Sequence, residues 1–345
     1  MNNQTVAFIM AGRRQRRRRW VLVTVVLAVL SCALCMAMLL LGSTIYPVKD
    51  VIRTLMGEQI KGVSFAVNTI RLPRMLAGLF AGFAFGVAGS TFQTMLRNPL
   101  ANPNVIGITS GSSAAAVFCI TVLHSSGAVV SVASVIAGLA TVLVIYVCSR
   151  GASFAVGRLI LVGIGVQAML DAIISYLLLV GAQQDIPAAL RWLSGSLNGS
   201  QMHELPPLVI TVLICAPIII LLGKHLTVLE LGEQSATSLG VNTDKTRIML
   251  IVSSVCMIAL ATATTGPIAF VAFLSGPIAK RLVGVGFSFS NVIPSGLVGV
   301  ILVLAGDLIG QFAFAVRYPV GIMTGILGAP YLIFLLIRMN RKGDF

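Results

Sequence analysis

The segment RRQRRRRWVLVTVVLAVLSCALCMAMLLL, Arg13 to Leu41, decides the solvent in which this chain folds. Six arginines, Arg13, Arg14 and Arg16 to Arg19, stand directly before an apolar run from Trp20 to Leu41. A membrane-crossing helix needs about 20 mostly apolar residues, roughly 30 Å at 1.5 Å per residue. This run meets that length. It is too long for a typical signal-peptide core, and no small-residue cleavage site follows it, so it reads as a retained first span. Its basic flank is the positive-inside signature of a cytoplasmic N-terminus.

Nine further apolar stretches follow: about Leu72–Met95, Val105–Leu123, Ala128–Cys148, Leu159–Val180, Leu205–Leu222, Ile248–Ala263, Ile268–Val283, Val292–Phe314 and Val320–Ile337. The chain is 57% hydrophobic and 10% charged over 345 residues. Soluble domains carry about a quarter charged residues, so no water-soluble fold of this length is expected. The reading is an all-α polytopic membrane protein with about ten transmembrane helices and both termini cytoplasmic. It divides into a basic tail at 1–19, one membrane domain at 20–338 and a C-terminal tail at 339–345. The polar segment from Gly42 to Asn68 has room for a short surface helix.

Charge placement supports that even number of spans. Arg97, Arg150, Arg158, Lys224, Lys245, Arg247, Lys280, Arg281, Arg338, Arg341 and Lys342 join the N-terminal arginines on one side. Only Lys49, Arg53, Lys61, Arg71, Arg74, Arg191 and Arg317 fall on the other. The net charge of +14 is therefore a topology signal and implies no nucleic-acid partner. The expected surroundings are membrane lipid.

Gly78, Gly82 and Gly86 recur every fourth residue, a spacing that lets helix backbones approach closely in lipid. Cys32 and Cys35 have CxxC spacing, but neither a second pair nor a nearby histidine accompanies them, so no metal site is expected. The three histidines, His124, His203 and His225, are far apart. With no phosphate-binding GxxxxGK[ST] and no HExxH, the chain is not expected to be an enzyme. Asp171 and Asp307 are the only carboxylates inside the apolar stretches, and a structural role bonding a neighbouring helix is expected of each.

Six motifs follow in order. They are Arg71-Leu-Pro-Arg74; QTMLRNPLANPNVIG, Gln93 to Gly107, with the small-residue run TSGSSAAA after it; RWLSGSLNG, Arg191 to Gly199; LELGEQSATSLGVN, Leu229 to Asn242; TGPIAFVAFLSGPIAKR from Thr265; and YPVGIMTGILGAPYLIFLL from Tyr318. Together they resemble the permease family of type II ABC importers for ferric siderophores, haem and cobalamin, over about residues 65 to 338. RLILVGIGVQAML from Arg158, WLSGSLNG and YLIFLL look most like a ferric-enterobactin-type permease subunit. The chain departs from the family where Ile278 follows Pro277 in place of histidine. It departs again at Arg317-Tyr-Pro-Val-Gly321, where the family carries glutamate first. Such divergence suits one specialised half of a heterodimer.

The resemblance implies the following. The chain is the transmembrane subunit of an ATP-driven importer in the bacterial cytoplasmic (inner) membrane. Its partners are a second, paralogous permease subunit, two ATPase subunits and an extracytoplasmic siderophore-binding protein. It holds no cofactor itself; ATP and Mg belong to the ATPase. Glu230, Glu233, Gln234, Ser235, Ser238, Leu239 and Gly240 dock on the ATPase, within a short helix that Gly240 closes. Arg71, Arg74 and Arg317 meet acidic groups of the binding protein, with interfacial snorkelling as the alternative. Ala155, Val156 and Gly157 lie in the cytoplasmic gate. The alternatives are the same family carrying haem or cobalamin, and, from a different class, an ion-coupled secondary transporter.

Overall fold

The computed structural model describes residues 3–149, 156–284 and 291–342. Helices stand at all ten apolar stretches: α1 (Asn3–Leu40), α3 (Leu72–Met95), α4 (Ile108–Thr121), α5 (Ala128–Ser149), α6 (Val156–Val180), α8 (Pro206–Leu221), α11 (Thr243–Thr265), α12 (Val271–Val283), α13 (Val292–Phe312) and α14 (Val320–Lys342). Short helices lie between them: α2 (Val48–Leu55), α7 (Ile186–Leu193), α9 (Gly223–Leu229) and α10 (Glu233–Ser238). The described residues contain no strand. Seven of the helices are long and apolar enough to cross a membrane. The helix at Ile108–Thr121 and the apolar part of α14, Val320–Leu335, are shorter.

The basic tail is not a separate element. Helix α1 is one rod of 38 residues, about 57 Å at 1.5 Å per residue, so it overhangs any bilayer. The polar segment after it does form a short helix, α2, and a π-helical turn at Ala66–Arg71 then leads into α3. That extra-residue turn shifts the phase of the helix and aims Arg71 back at the end of α1.

Helix α3 is the axis of the bundle and packs against α11, α12 and α13. Its glycines explain why. A Cβ on Gly82 would stand 2.8 Å from the Gly299 carbonyl oxygen and from Val300 Cα, and one on Gly86 would strike the carbonyl of Ser295. From the other side, Gly299 meets the Gly82 carbonyl. Backbone touches backbone here, so van der Waals contact does what hydrophobic burial cannot do in lipid. We expect Gly86→Val to lower the thermal unfolding midpoint of the purified chain by several degrees, because overpacking costs about 1–3 kcal/mol. Gly165→Val, where a Cβ meets nothing within 4 Å, should leave it unchanged. Equal midpoints for the two variants would refute the close-packed seam.

Helices α5 and α6 and the apolar part of α1 lie at the periphery, with only 17–22% of their apolar windows buried. On α1, Val25 and Val29 face outward, as do Leu161 and Ile164 on α6. Such apolar exposure would be untenable in water and is ordinary in a bilayer.

Candidate docking and pathway surfaces

Three sequence motifs distant along the chain meet at the end of the bundle that carries α7. Ser196 N–H donates to the Thr265 carbonyl over 2.7 Å, and Gly321 N–H donates to the Gly195 carbonyl over 3.1 Å. WLSGSLNG is thereby stitched both to the end of α11 and to the start of α14. Gly195 has φ +66°, and a Cβ there would lie 2.5 Å from the Pro267 oxygen. Only glycine suits both the left-handed backbone and that approach. This knot orients α7.

Beside the knot, Arg74 holds Asp307. Its Nε and Nη2 each donate to a different carboxylate oxygen over 2.8 Å, and Nη1 reaches the Asn198 side chain at 3.3 Å. The Gln311 amide donates to the same carboxylate at 2.7 Å. Asp307 is 1% exposed, and the Arg74 side chain 13%. The bidentate fork clamps α3 to α13. The structural role expected of Asp307 is what its contacts describe.

Arg71 is buried. It donates to the carbonyls of Leu39, Leu40 and Thr44, and its guanidinium lies 4.6 Å from the centre of the Tyr46 ring. Leu39 and Leu40 end α1, so Arg71 caps that helix with a cation where its dipole is negative. An external docking role requires a free guanidinium, and Arg71 has none to offer in this arrangement. Neither does it snorkel to a surface. Arg317, by contrast, is exposed. It shares a groove with Arg74, Arg191, Pro187, Leu190 and Asn198. Arg191, in the last turn of α7, was not singled out by its motif; only the fold brings it beside Arg317.

At the opposite end, the stretch Leu229–Asn242, expected as one short helix, runs from the last residue of α9 through α10. The two helices are separated at Glu230–Gly232, with Gly232 at φ +106°. The end of α10 is as expected. Gly240 has φ +82°, its N–H donates to Thr237 and that of Val241 donates to Ala236, the paired hydrogen bonds of a glycine-closed helix terminus.

Around α10, the two acids are engaged within the chain. Glu230 accepts from Lys280 at 3.0 Å, and Glu233 pairs with Arg247 at 3.0 Å. Glu233 pins α10 to α11, and Glu230 pins the turn before it to α12. What the element leaves outward is Gln234, Ser235, Ser238 and two large apolar side chains, Leu231 at 50% and Leu239 at 64% exposure. Leu231 was not among the residues singled out from sequence for contact, since its exposure follows from the break at Gly232.

On α6, the polar and small residues Gly165, Ala168, Asp171, Ala172 and Ser175 recur at three- and four-residue spacing and are all exposed. Asp171 was expected to bond a neighbouring helix. The structure differs: its side chain makes no hydrogen bond to another described residue, and only its backbone carbonyl is used, by Ser175. Of the gate residues, Ala155 lies outside the described residues. Val156 begins α6, and Gly157 follows it, exposed in the first turn.

The sequence profile of the FecCD transport family matches residues 6–338. The ferric enterobactin transport system permease protein FepG of Escherichia coli K12 is 33% identical over 305 residues, covering 87% of this chain and 91% of that protein. The achromobactin transport system permease protein CbrC of Dickeya dadantii is 35% identical over 311 residues, covering 89% of each. Among solved structures, an inward-facing putative metal-chelate type ABC transporter superposes with a TM-score of 0.81 at 26% identity, over 91% of this chain and 98% of that one.

Proposed function

The chain belongs to the FecCD transport family, and from that membership we propose that it carries a ferric siderophore across the bacterial inner membrane as one half of a heterodimeric, ATP-driven importer. It is a transport subunit and not itself catalytic; ATP and Mg belong to the partner ATPase in this reading. FepG belongs to a ferric enterobactin transport system, which supports the siderophore class.

Asp171 is the observation that carries the two-subunit arrangement. A carboxylate at the middle of a membrane-crossing helix costs about 3 kcal/mol or more if it faces lipid. On this surface it must face a second permease subunit or an aqueous pathway. The small and hydroxyl-bearing residues beside it suit close packing or the passage of a bulky chelate. The metal stays with its chelator in this reading.

At the α7 end, Arg191 and Arg317 form the basic surface for the binding protein, steering its approach by charge. At the α10 end, Leu231 and Leu239 are the contact for the ATPase. The α10 end is the cytoplasmic one by the charge asymmetry of the loops.

Transport by the complete system in vesicles tests the reading. With a second permease, ATPase and binding protein, a ferric siderophore should accumulate on ATP with no ion gradient. Uptake that requires a proton or sodium gradient and ignores ATP overturns it. Full transport by this chain and the ATPase, without a second permease chain, overturns the heterodimer.

A further inference from the structure

A cleft of about 400 Å3 at the α10 end is separate from the surfaces described above. Arg19, Ile278, Arg281, Leu282 and Tyr331 line it, so it lies where α1, α12 and α14 converge. Arg19 is the last residue of the basic run before the apolar part of α1, and Arg281 lies in the last turn of α12. Both therefore stand where charge gives way to apolar chain.

The two guanidinium groups are held in place but not neutralised. Arg19 Nε donates to the Leu282 carbonyl at 3.0 Å and Nη2 reaches the Arg281 carbonyl at 3.5 Å, capping α12. A guanidinium carries five N–H donors, so most of its capacity remains. The Arg281 guanidinium lies 5.9 Å from the centre of the Phe334 ring. Neither arginine forms an ion pair with a described carboxylate. Glu230, in the same corner, is taken by Lys280. The cleft thus pairs two positive charges with walls of Ile278, Leu282 and Tyr331, and no acid is among the described residues that line it.

We propose that this cleft binds the headgroup phosphate of an anionic phospholipid of the inner leaflet. The phosphodiester sits between Arg19 and Arg281, whose planar forks match its oxygens. The acyl chains run along Ile278 and Leu282. Basic pockets between membrane helices on the cytoplasmic side suit such headgroups. The bound lipid ties the basic N-terminal helix to α12, the helix whose Lys280 holds Glu230 in the turn before α10. The inference rests on the chain's being a membrane-spanning bundle and is independent of its cargo.

Native mass spectrometry of the delipidated full-length chain tests this. The probes are dioleoyl phosphatidylglycerol, dioleoyl phosphatidylcholine and inorganic phosphate. Phosphatidylglycerol should bind about tenfold more tightly than phosphatidylcholine. Arg281→Gln should weaken phosphatidylglycerol about fivefold and leave phosphatidylcholine unchanged. That variant keeps the backbone carbonyls that Arg19 caps, so α12 is not disturbed. Arg14→Gln, on the exposed part of the basic run, should have no such effect. Equal binding of the two lipids overturns the proposal, as does an equal loss in the Arg14 variant, which would mean diffuse attraction to the tail. Displacement of phosphatidylglycerol by millimolar phosphate overturns it too, since the cleft would then be a free-anion site.

Discussion

Replacing Arg74 by methionine should destabilise the purified chain by about 3–5 kcal/mol, because it leaves Asp307 buried and charged without its partner. Asp307 is 1% exposed and takes two hydrogen bonds from Arg74. The remaining bond from Gln311 cannot replace a cation at that depth. Asp307→Leu alone should be damaging too, since it strands the guanidinium. The double variant Arg74→Met/Asp307→Leu should recover to within about 1–2 kcal/mol of the parent, as replacing a buried pair with apolar groups is often neutral. Denaturant unfolding in detergent provides the three values. If the double variant is as unstable as the sum of the singles, the clamp is not a pair interaction. The same series separates stability from docking. A double variant that is stable and still responds fully to the binding protein assigns Arg74 to the α3–α13 seam alone.

The second large effect is expected at α10. Leu231→Asp/Leu239→Asp should reduce co-purification of the ATPase by about a hundredfold or more, while the chain itself accumulates normally. Both side chains are at least half exposed, so their replacement removes little internal contact. Exposed apolar anchors at the centre of an interface typically carry about 2 kcal/mol or more each, and two charges placed there add desolvation cost. Glu233→Gln should do little by comparison. Its pair with Arg247 is exposed on the acid side, 56%, and such a pair contributes about 1 kcal/mol at most. ATPase retained by the leucine variant but lost with Glu233→Gln would reverse the assignment and return the contact to the acids.

The helical membrane fold was legible from composition, because a hydrocarbon solvent permits few spanning structures and demands long apolar runs. The positions of the ten helices followed from the same runs. The family was legible through ordered motifs, which the family match over residues 6–338 bears out. The site residues were less legible. Arg71 and Arg74 share one motif, yet one caps α1 and the other grips α13, because different helices reach the two positions. Glu230 and Glu233 look available in sequence, but Lys280 and Arg247 arrive from other helices to take them. Asp171 and Asp307 look alike as isolated intramembrane acids, and only their neighbours distinguish them.

By itself, then, the sequence determined the solvent, the helices and the family, since each depends on residue type and spacing along one line. Hydropathy summed over 20 residues survives any rearrangement of the bundle. The tertiary structure decided which charges are spent inside the chain and which remain for partners. Neutralising a guanidinium takes a carboxylate or carbonyl at about 3 Å, and Arg74 finds its carboxylate 233 positions away, at Asp307.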